Sequence, residues 1–269
     1  MAIQPSQPQG VGGVLDTAFQ LYKSSLATVW PISLLLAIVG VPPTLYSIFE
    51  RQNNPQPVSI DMLLLSAADP VSSLIGVLSG LLTLWTMSAL YLKQHAVGVD
   101  ADMSVGDALK AAARRLGSMV LATIVVLFAV IVGLALLIVP GLILVVTLMM
   151  YMTLLLFENR GAVDSVVASH KLVWGNWWRS SAILTVALIL AMVIFVAVGF
   201  VAAIAAPFAG LAVDDILMVT MIGELIFNLA FNVLLMPFFT AVMIALYWDL
   251  KLRKEGSDLA ARVNALNVA

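Results

Sequence analysis

The sequence predicts an all-α membrane fold of six transmembrane helices, and three observations carry that prediction. The first is composition. Of the 269 residues, 62% are hydrophobic and 10% charged, where a soluble domain carries about 25% charged residues. A chain this apolar cannot cover a water-facing surface, so lipid is its main solvent. The second is the recurrence of apolar stretches of about 20 residues, the length that crosses a hydrocarbon core as a helix. The third is the distribution of basic residues, which gather in alternate segments between those stretches.

The spans follow in order. The first covers 26–49, with Pro42 and Pro43 expected to bend its far end. The second covers 70–92; Asp69 suits its cap and Pro70 its first helical position. Residues 117–157 are too long for one span, and "VPGL" at 139–142 divides them, with Pro140 and Gly141 suited to the centre of a type II turn. The fifth span covers 180–206, and the sixth 216–248, long enough to tilt or project.

With the N-terminus inside, the inner segments hold Lys23, Lys93, Lys110, Arg114, Arg115, Arg160, Lys171, Arg179, Lys251, Arg253, Lys254 and Arg262. The outer segments hold only Arg51. That asymmetry predicts both termini in the cytoplasm. The outer loops are then the stretch around 50–69, the Pro-Gly turn, and a short acidic stretch with Asp214 and Asp215. The opening "MAIQPSQPQGVGG" lacks a basic region followed by a short apolar run. No cleaved signal is expected, and the first span is expected to remain as an anchor.

The inner segments before spans one, three and five share a pattern. Asp16, Asp107 and Asp164 each have a basic residue seven positions on: Lys23, Arg114 and Lys171. Seven residues are two helical turns, so acid and base lie on one face. Apolar residues flank each Asp at −2 and +2 (Val14 and Ala18, Val105 and Leu109, Ala162 and Val166). An apolar or small residue follows at +5 (Leu21, Ala112, Ser169), giving a second stripe. Ser104 with Asp107 reads as a capping box. The pattern predicts a single integral membrane domain over 1–269. It contains three repeats, at about 12–92, 103–157 and 161–250, then a cytoplasmic tail at 251–269. Each repeat is a short amphipathic cytoplasmic helix followed by a transmembrane hairpin.

Aromatic residues mark the ends of the spans. Trp30 and Trp178 each lie fourteen residues after a repeat Asp, whereas the second repeat has Leu121 there. Tryptophan is amphipathic and collects at headgroup level. "WGNWW", with Trp174, Trp177 and Trp178, therefore reads as an interfacial anchor rather than a ligand cage, and Trp248 as part of the same belt. Lys171 and Arg179 are expected beside lipid phosphates, where a basic residue near an anionic surface contributes about 1 kcal/mol.

Two spans carry polar or small stripes. In the sixth, Glu224, Asn228 and Asn232 recur every four residues. A carboxylate at such depth must face protein or water. The stripe is either a polar path opened by Pro237 or a set of interhelical bridges, and one stripe without a partner charge favours the bridges. In the second span Ser72, Gly76 and Gly80 form a small-xxx-small pattern, with hydroxyls at Ser79, Thr83 and Thr86 alongside. This face is expected in the bundle centre, against span six, or as a contact between two copies of the chain.

The inventory for chemistry is thin. With no cysteine there is no disulfide or thiolate. His95 and His170 read as surface residues, too few for a metal site. No HExxH, P-loop or GxSxG pattern occurs. No segment between spans exceeds about thirty residues, too short for a catalytic domain. A net charge of −2 with no long basic tract excludes a nucleic-acid binder. No cofactor is expected.

The stretch "LLIVPGLILVVTLMMYMTLLLFENRGAVDSVVASHKLVWGNWWRSS" and the opening "GGVLDTAFQLYKSSLATVWP" resemble a broad set of bacterial polytopic membrane proteins. These are similar to the membrane domain fused to some glycerophosphodiester phosphodiesterases and to the YciC-like inner-membrane family. The matching elements are the Pro140-Gly141 turn, Glu158 ending span four, the Asp164 helix and "LVWGNWW". The resemblance implies a six-span bacterial inner-membrane protein working near lipids or in envelope stress. The phosphodiesterase catalytic domain has no counterpart in this sequence, so no catalytic residue carries over. The expectation is a non-catalytic, lipid-associated scaffold or accessory subunit, with membrane lipids and a protein partner or second copy as its contacts. The alternative is a transporter or efflux component for a small or amphiphilic solute, using the sixth-span stripe. An intramembrane enzyme ranks third for want of paired catalytic groups.

Overall fold

The computed structural model describes residues 2–53, 69–208 and 216–268. They form nine α-helices: α1 Val11–Asn53, α2 Pro70–Gly98, α3 Val105–Leu136, α4 Ile138–Leu148, α5 Tyr151–Phe157, α6 Ala162–Val173, α7 Trp177–Phe208, α8 Ile216–Ala230 and α9 Met236–Val268. A π-helical turn, Phe231–Leu235, joins α8 to α9. No strand occurs among the described residues. Six of the resulting rods are long and apolar enough to cross a membrane: α1, α2, α3, α4 with α5, α7, and α8 with α9. The expected outer loop at 54–68 and the acidic pair at 214 and 215 lie outside the described residues.

The chain starts at one end of the bundle, and alternate helix ends return to it. Backbone N–H groups of Ile3 and Gln4 donate to Gly98 O, tying the N-terminal segment to the end of α2. The Gln9 N–H donates to Asp249 on α9 at 2.8 Å. The segment entering α3 meets the end of α2 there, Lys93 Nζ donating to Met103 O at 2.6 Å, and the start of α7, and α5 with α6, reach the same end of α9. This is the basic end, where Lys171, Arg179, Lys251 and Arg253 sit.

Burial concentrates in this half of the molecule. Leu21, Met119, Leu155, Ile183, Leu246, Trp248 and Leu250 form one continuous core there. The α8–α9 rod is central: 56% of its apolar stretch is buried, against 18% for α7. On α7, Leu188, Met192, Val196 and Phe200 stand exposed on successive turns. So large an apolar surface is stable only against lipid.

Several breaks differ from the sequence expectation, each for a local reason. The "VPGL" stretch is not a type II turn. Leu137 alone leaves the helix (φ −160°, ψ 142°), and Pro140 and Gly141 lie in the first turn of α4. A continuous helix would drive the Pro140 ring into the carbonyl of Leu136; a break at Leu137 removes that clash. Pro140 then sits where a helix has no N–H partner to lose. A side chain at Gly141 would overlap Leu134, and one at Gly133 would come within 3.1 Å of the Gly141 backbone. These glycines permit the close α3–α4 approach.

The fourth span is broken between α4 and α5. Ser169 of α6 repairs it: its hydroxyl donates to Thr147 O at 2.8 Å and accepts from Met150 N at 3.0 Å. In the sixth span, Met236 N–H reaches back five residues to Phe231 O. Widening the turn just before Pro237 accommodates a ring that a regular α-helix would reject. Pro42 and Pro43, by contrast, do not interrupt α1.

A separate amphipathic helix is present only before the fifth span, as α6. The segments around Asp16 and Asp107 run on without a break into α1 and α3. After α6, Gly175 adopts φ +91°, and Asn176 N–H closes back on Val173 O, a glycine stop that ends the helix. In all three segments the Asp and its basic partner are exposed, and Leu21, Ala112 and Ser169 are buried.

Candidate functional site

Two ionic clusters occupy the basic end. The first is built on Asp249, whose side chain is fully buried. Its Oδ2 accepts from Arg179 Nε at 3.1 Å, Arg179 Nη2 at 2.9 Å and Arg253 Nε at 3.0 Å. Both arginines also donate to Gln9 O. The cluster thus fastens the N-terminal segment, the start of α7 and the middle of α9 together. Arg179, expected beside lipid phosphates, is instead committed to this buried carboxylate. A carboxylate left alone in that core would cost several kcal/mol, so its charge requires the pairing.

The second cluster is built on Glu158, at the end of α5. Lys251 Nζ donates to Oε1 at 2.5 Å, Tyr247 OH to Oε1 at 2.9 Å, and Arg160 Nε to Oε2 at 2.7 Å. Partial burial pushes this carboxyl's pKa up, but the bonds from Lys251, Arg160 and Tyr247 outweigh it and hold the pKa below the ordinary 4.5. Glu158 is therefore anionic at neutral pH and fixes two cations in place.

Beside Glu158 opens a cleft of about 210 Å³. Arg160, Lys171, Lys251 and Lys254 supply four positive charges to its wall, against Glu158 and Glu255. Leu154 and Leu172 line it as well, and both are almost fully buried. The arrangement is cationic with an apolar lining, suited to an anionic amphiphile. Lys171 is exposed on α6. Three residues on, at the C-terminal cap of α6, Trp174 is 61% exposed.

The sequence expectations divide at this point. Trp30 is 53% exposed and Trp178 82%, consistent with an aromatic belt. Trp177 is half-buried and packs edge-on against Trp178. Trp248 is not in the belt. It is buried, and its indole occupies the space a side chain at Gly98 would need. His95 is not a surface residue either: its ring stacks on Phe157 at 4.0 Å and lies 5.9 Å from Trp248. Lys23 and Arg114 are exposed, and neither lines the cleft.

The stripe on the sixth span is drawn into the protein. Asn228 packs against Gly40 of α1, where any Cβ would overlap its amide. Asn232 is almost buried, and its Nδ2 donates to Asn228 O at 2.9 Å, at the entrance to the π turn. Glu224 is half-buried one turn earlier. Ser72, Gly76 and Gly80 do not lie in the bundle centre: Gly76 and Gly80 are exposed, with open space where a Cβ would stand. The buried contact between α2, α1 and the sixth span is made further along by Gln94. Its Nε2 donates to Ser25 Oγ at 3.0 Å and Pro237 O at 2.8 Å, and its Oε1 accepts from Thr240.

Asp249, Gln94 and the Arg160–Lys251–Lys254 grouping are the residues that sequence reasoning missed. Asp249 did leave a signal: a carboxylate in an apolar run, four residues before Arg253. No group of three metal-ligating side chains occurs among the described residues.

These features define an all-helical membrane protein with six helices fit to span a bilayer. Comparison with known protein families, with curated proteins and with solved structures returns no match.

Proposed function

We propose that this chain is a non-catalytic, polytopic protein of a bacterial inner membrane, a scaffold or accessory subunit that associates with lipids at its cytoplasmic face. The observation that carries the reading is the basic end. There Asp249 ties the N-terminal segment and the start of α7 to α9, and a cationic cleft opens between α5, α6 and α9. The distribution of Lys and Arg supports the cytoplasmic placement, and the exposed Trp30, Trp174 and Trp178 support a headgroup level near that end. The resemblance of "LVWGNWW" and its flanks to YciC-like proteins is the ground for a bacterial inner membrane. The polar residues deep in the bundle bond mainly to one another and to backbone, as a scaffold requires.

The test is the lipid that accompanies the purified chain. Extraction in mild detergent followed by lipid mass spectrometry is expected to find anionic phospholipid enriched over the bulk membrane. A composition equal to the bulk would count against lipid association.

A second reading, a transporter, draws on one observation: the π turn beside Asn228, Asn232 and Pro237, since such turns recur at functional sites. A proton-dependent solute flux in proteoliposomes, abolished by Glu224→Gln in a folded protein, would establish it over the scaffold.

A further inference from the structure

The geometry points to the cleft between α5, α6 and α9 as a binding site for the phosphate of an anionic phospholipid headgroup, held by Arg160, Lys171, Lys251 and Lys254. The assignment rests on the proposal that this end lies at the inner leaflet.

Charge is the first argument. Four cations share the cleft with two carboxylates, a surplus of two positive charges in a space of about 210 Å³. A phosphodiester carries one negative charge and a phosphomonoester up to two, so one diester headgroup offsets half of the surplus and a monoester headgroup can balance it.

Organisation is the second argument. Arg160 and Lys251 are not loose surface chains. Glu158 holds the Arg160 Nε and the Lys251 ammonium at 2.7 and 2.5 Å, and Tyr247 holds the same carboxylate from α9. The Glu158 contact uses Arg160 Nε, and the guanidinium's terminal nitrogens are the fork suited to two phosphate oxygens. An ammonium ion with three donors can serve Glu158 and a phosphate together. Two of the four cations are therefore positioned before the ligand arrives, which lowers the ordering cost of binding.

The lining is the third argument, and it selects lipid over soluble phosphate. Ala168 and the methylene stems of Lys171, Lys251 and Lys254 give the cleft an accessible apolar side, over the buried Leu154 and Leu172. Soluble phosphate gains nothing from such a wall, whereas the glycerol backbone and first methylenes of a lipid do. Trp174, exposed at the C-terminal cap of α6 three residues after Lys171, is the residue type found at the level of lipid phosphates.

The experiment uses the full chain in nanodiscs of phosphatidylcholine with titrated phosphatidylglycerol, and reads lipid retained after detergent exchange by native mass spectrometry. Lys171→Gln with Lys254→Gln is expected to weaken phosphatidylglycerol retention by roughly tenfold or more, on the basis of about 1 kcal/mol per basic residue at an anionic surface. Lys23→Gln with Arg114→Gln removes as much charge outside the cleft and is expected to change retention less than twofold, within about 0.4 kcal/mol. Glu255→Gln is expected to tighten retention, a gain that damage to the fold would not produce. Equal loss in the cleft and control pairs, or no gain in Glu255→Gln, would overturn the site. Inorganic phosphate or glycerol 3-phosphate binding to the wild type as tightly as the lipid would overturn the lipid assignment. Loss confined to the cleft pair, in a protein whose basic end proves to face outward, would leave the site standing and remove the inner-leaflet reading.

Discussion

Replacing Asp249 with Asn keeps its volume and removes its charge, and the consequence can be worked from the contacts. The buried carboxylate accepts four hydrogen bonds, from Gln9 N, Arg179 Nε and Nη2, and Arg253 Nε. Asparagine retains one acceptor oxygen for Gln9, but its amide hydrogens then meet guanidinium donors. Breaking a buried ion pair from one side costs about 3–5 kcal/mol. The Arg179 and Arg253 side chains are 19% and 32% exposed, so water recovers part of their solvation. The expected loss therefore falls at the lower end, about 3 kcal/mol, roughly a hundredfold in the folding equilibrium. The assay is reversible unfolding in mixed micelles by titration with sodium dodecyl sulfate, followed by tryptophan fluorescence. Trp248, adjacent in sequence and buried, reports on the same region. Arg179→Ala and Arg253→Ala should each couple to Asp249→Asn by more than 0.5 kcal/mol in a double-mutant cycle. A variant within about 0.5 kcal/mol of the wild type would refute the argument that this cluster fastens the basic end.

The other predictions concern packing and pH. Ser169→Ala removes the hydroxyl that bridges the break between α4 and α5; leaving Met150 N–H without that buried partner should cost about 1–3 kcal/mol in the same titration. Gly98→Ala forces a methyl group into the Trp248 indole and should destabilise by about 1–3 kcal/mol, whereas Gly76→Ala, with open space around it, should be neutral or stabilise by up to about 1 kcal/mol. Thermal midpoints in detergent test both signs. Glu158 has a depressed pKa in the folded protein, so its stabilisation is complete above the ordinary 4.5 and is lost as pH falls through the folded value. The thermal midpoint should accordingly drop in that acid range in the wild type, and less steeply in Glu158→Gln.

The sequence made the spans legible because a bilayer imposes length and composition on them directly. Asp69 and Ser104 were readable as caps because capping is local, and both accept the expected backbone N–H: Ser72 to Asp69 at 2.7 Å, and Asp107 to Ser104 at 3.0 Å. The breaks were harder. Pro140 announces an interruption, but whether it falls at the proline or three residues earlier depends on how closely Gly133 and Gly141 let two helices approach. The α4–α5 break is repaired by Ser169, twenty-two residues from Thr147, and no local pattern reveals such a partner. Inside and outside faces were the least legible. In lipid an apolar residue suits either face, so periodicity no longer separates core from surface. For that reason the Gly76–Gly80 stripe read as a central contact and stands exposed, and Trp248 read as an interfacial anchor and stands in the core. Arg179 and Lys171 show the same limit for charge: both occupy the basic end, yet one binds Asp249 and the other lines the cleft.

The central claim is a six-crossing bundle with its cationic end on the inner side, and a cysteine-free chain permits a direct measurement of it. Single cysteines at Gln52, Asp102 and Gly256 occupy exposed positions near the end of α1, between α2 and α3, and along α9. With a membrane-impermeant maleimide, the account predicts labelling at Gln52 in intact cells, and at Asp102 and Gly256 only once the inner face is opened. Labelling of Gln52 and Asp102 from the same side, or of Asp102 and Gly256 from opposite sides, would contradict it.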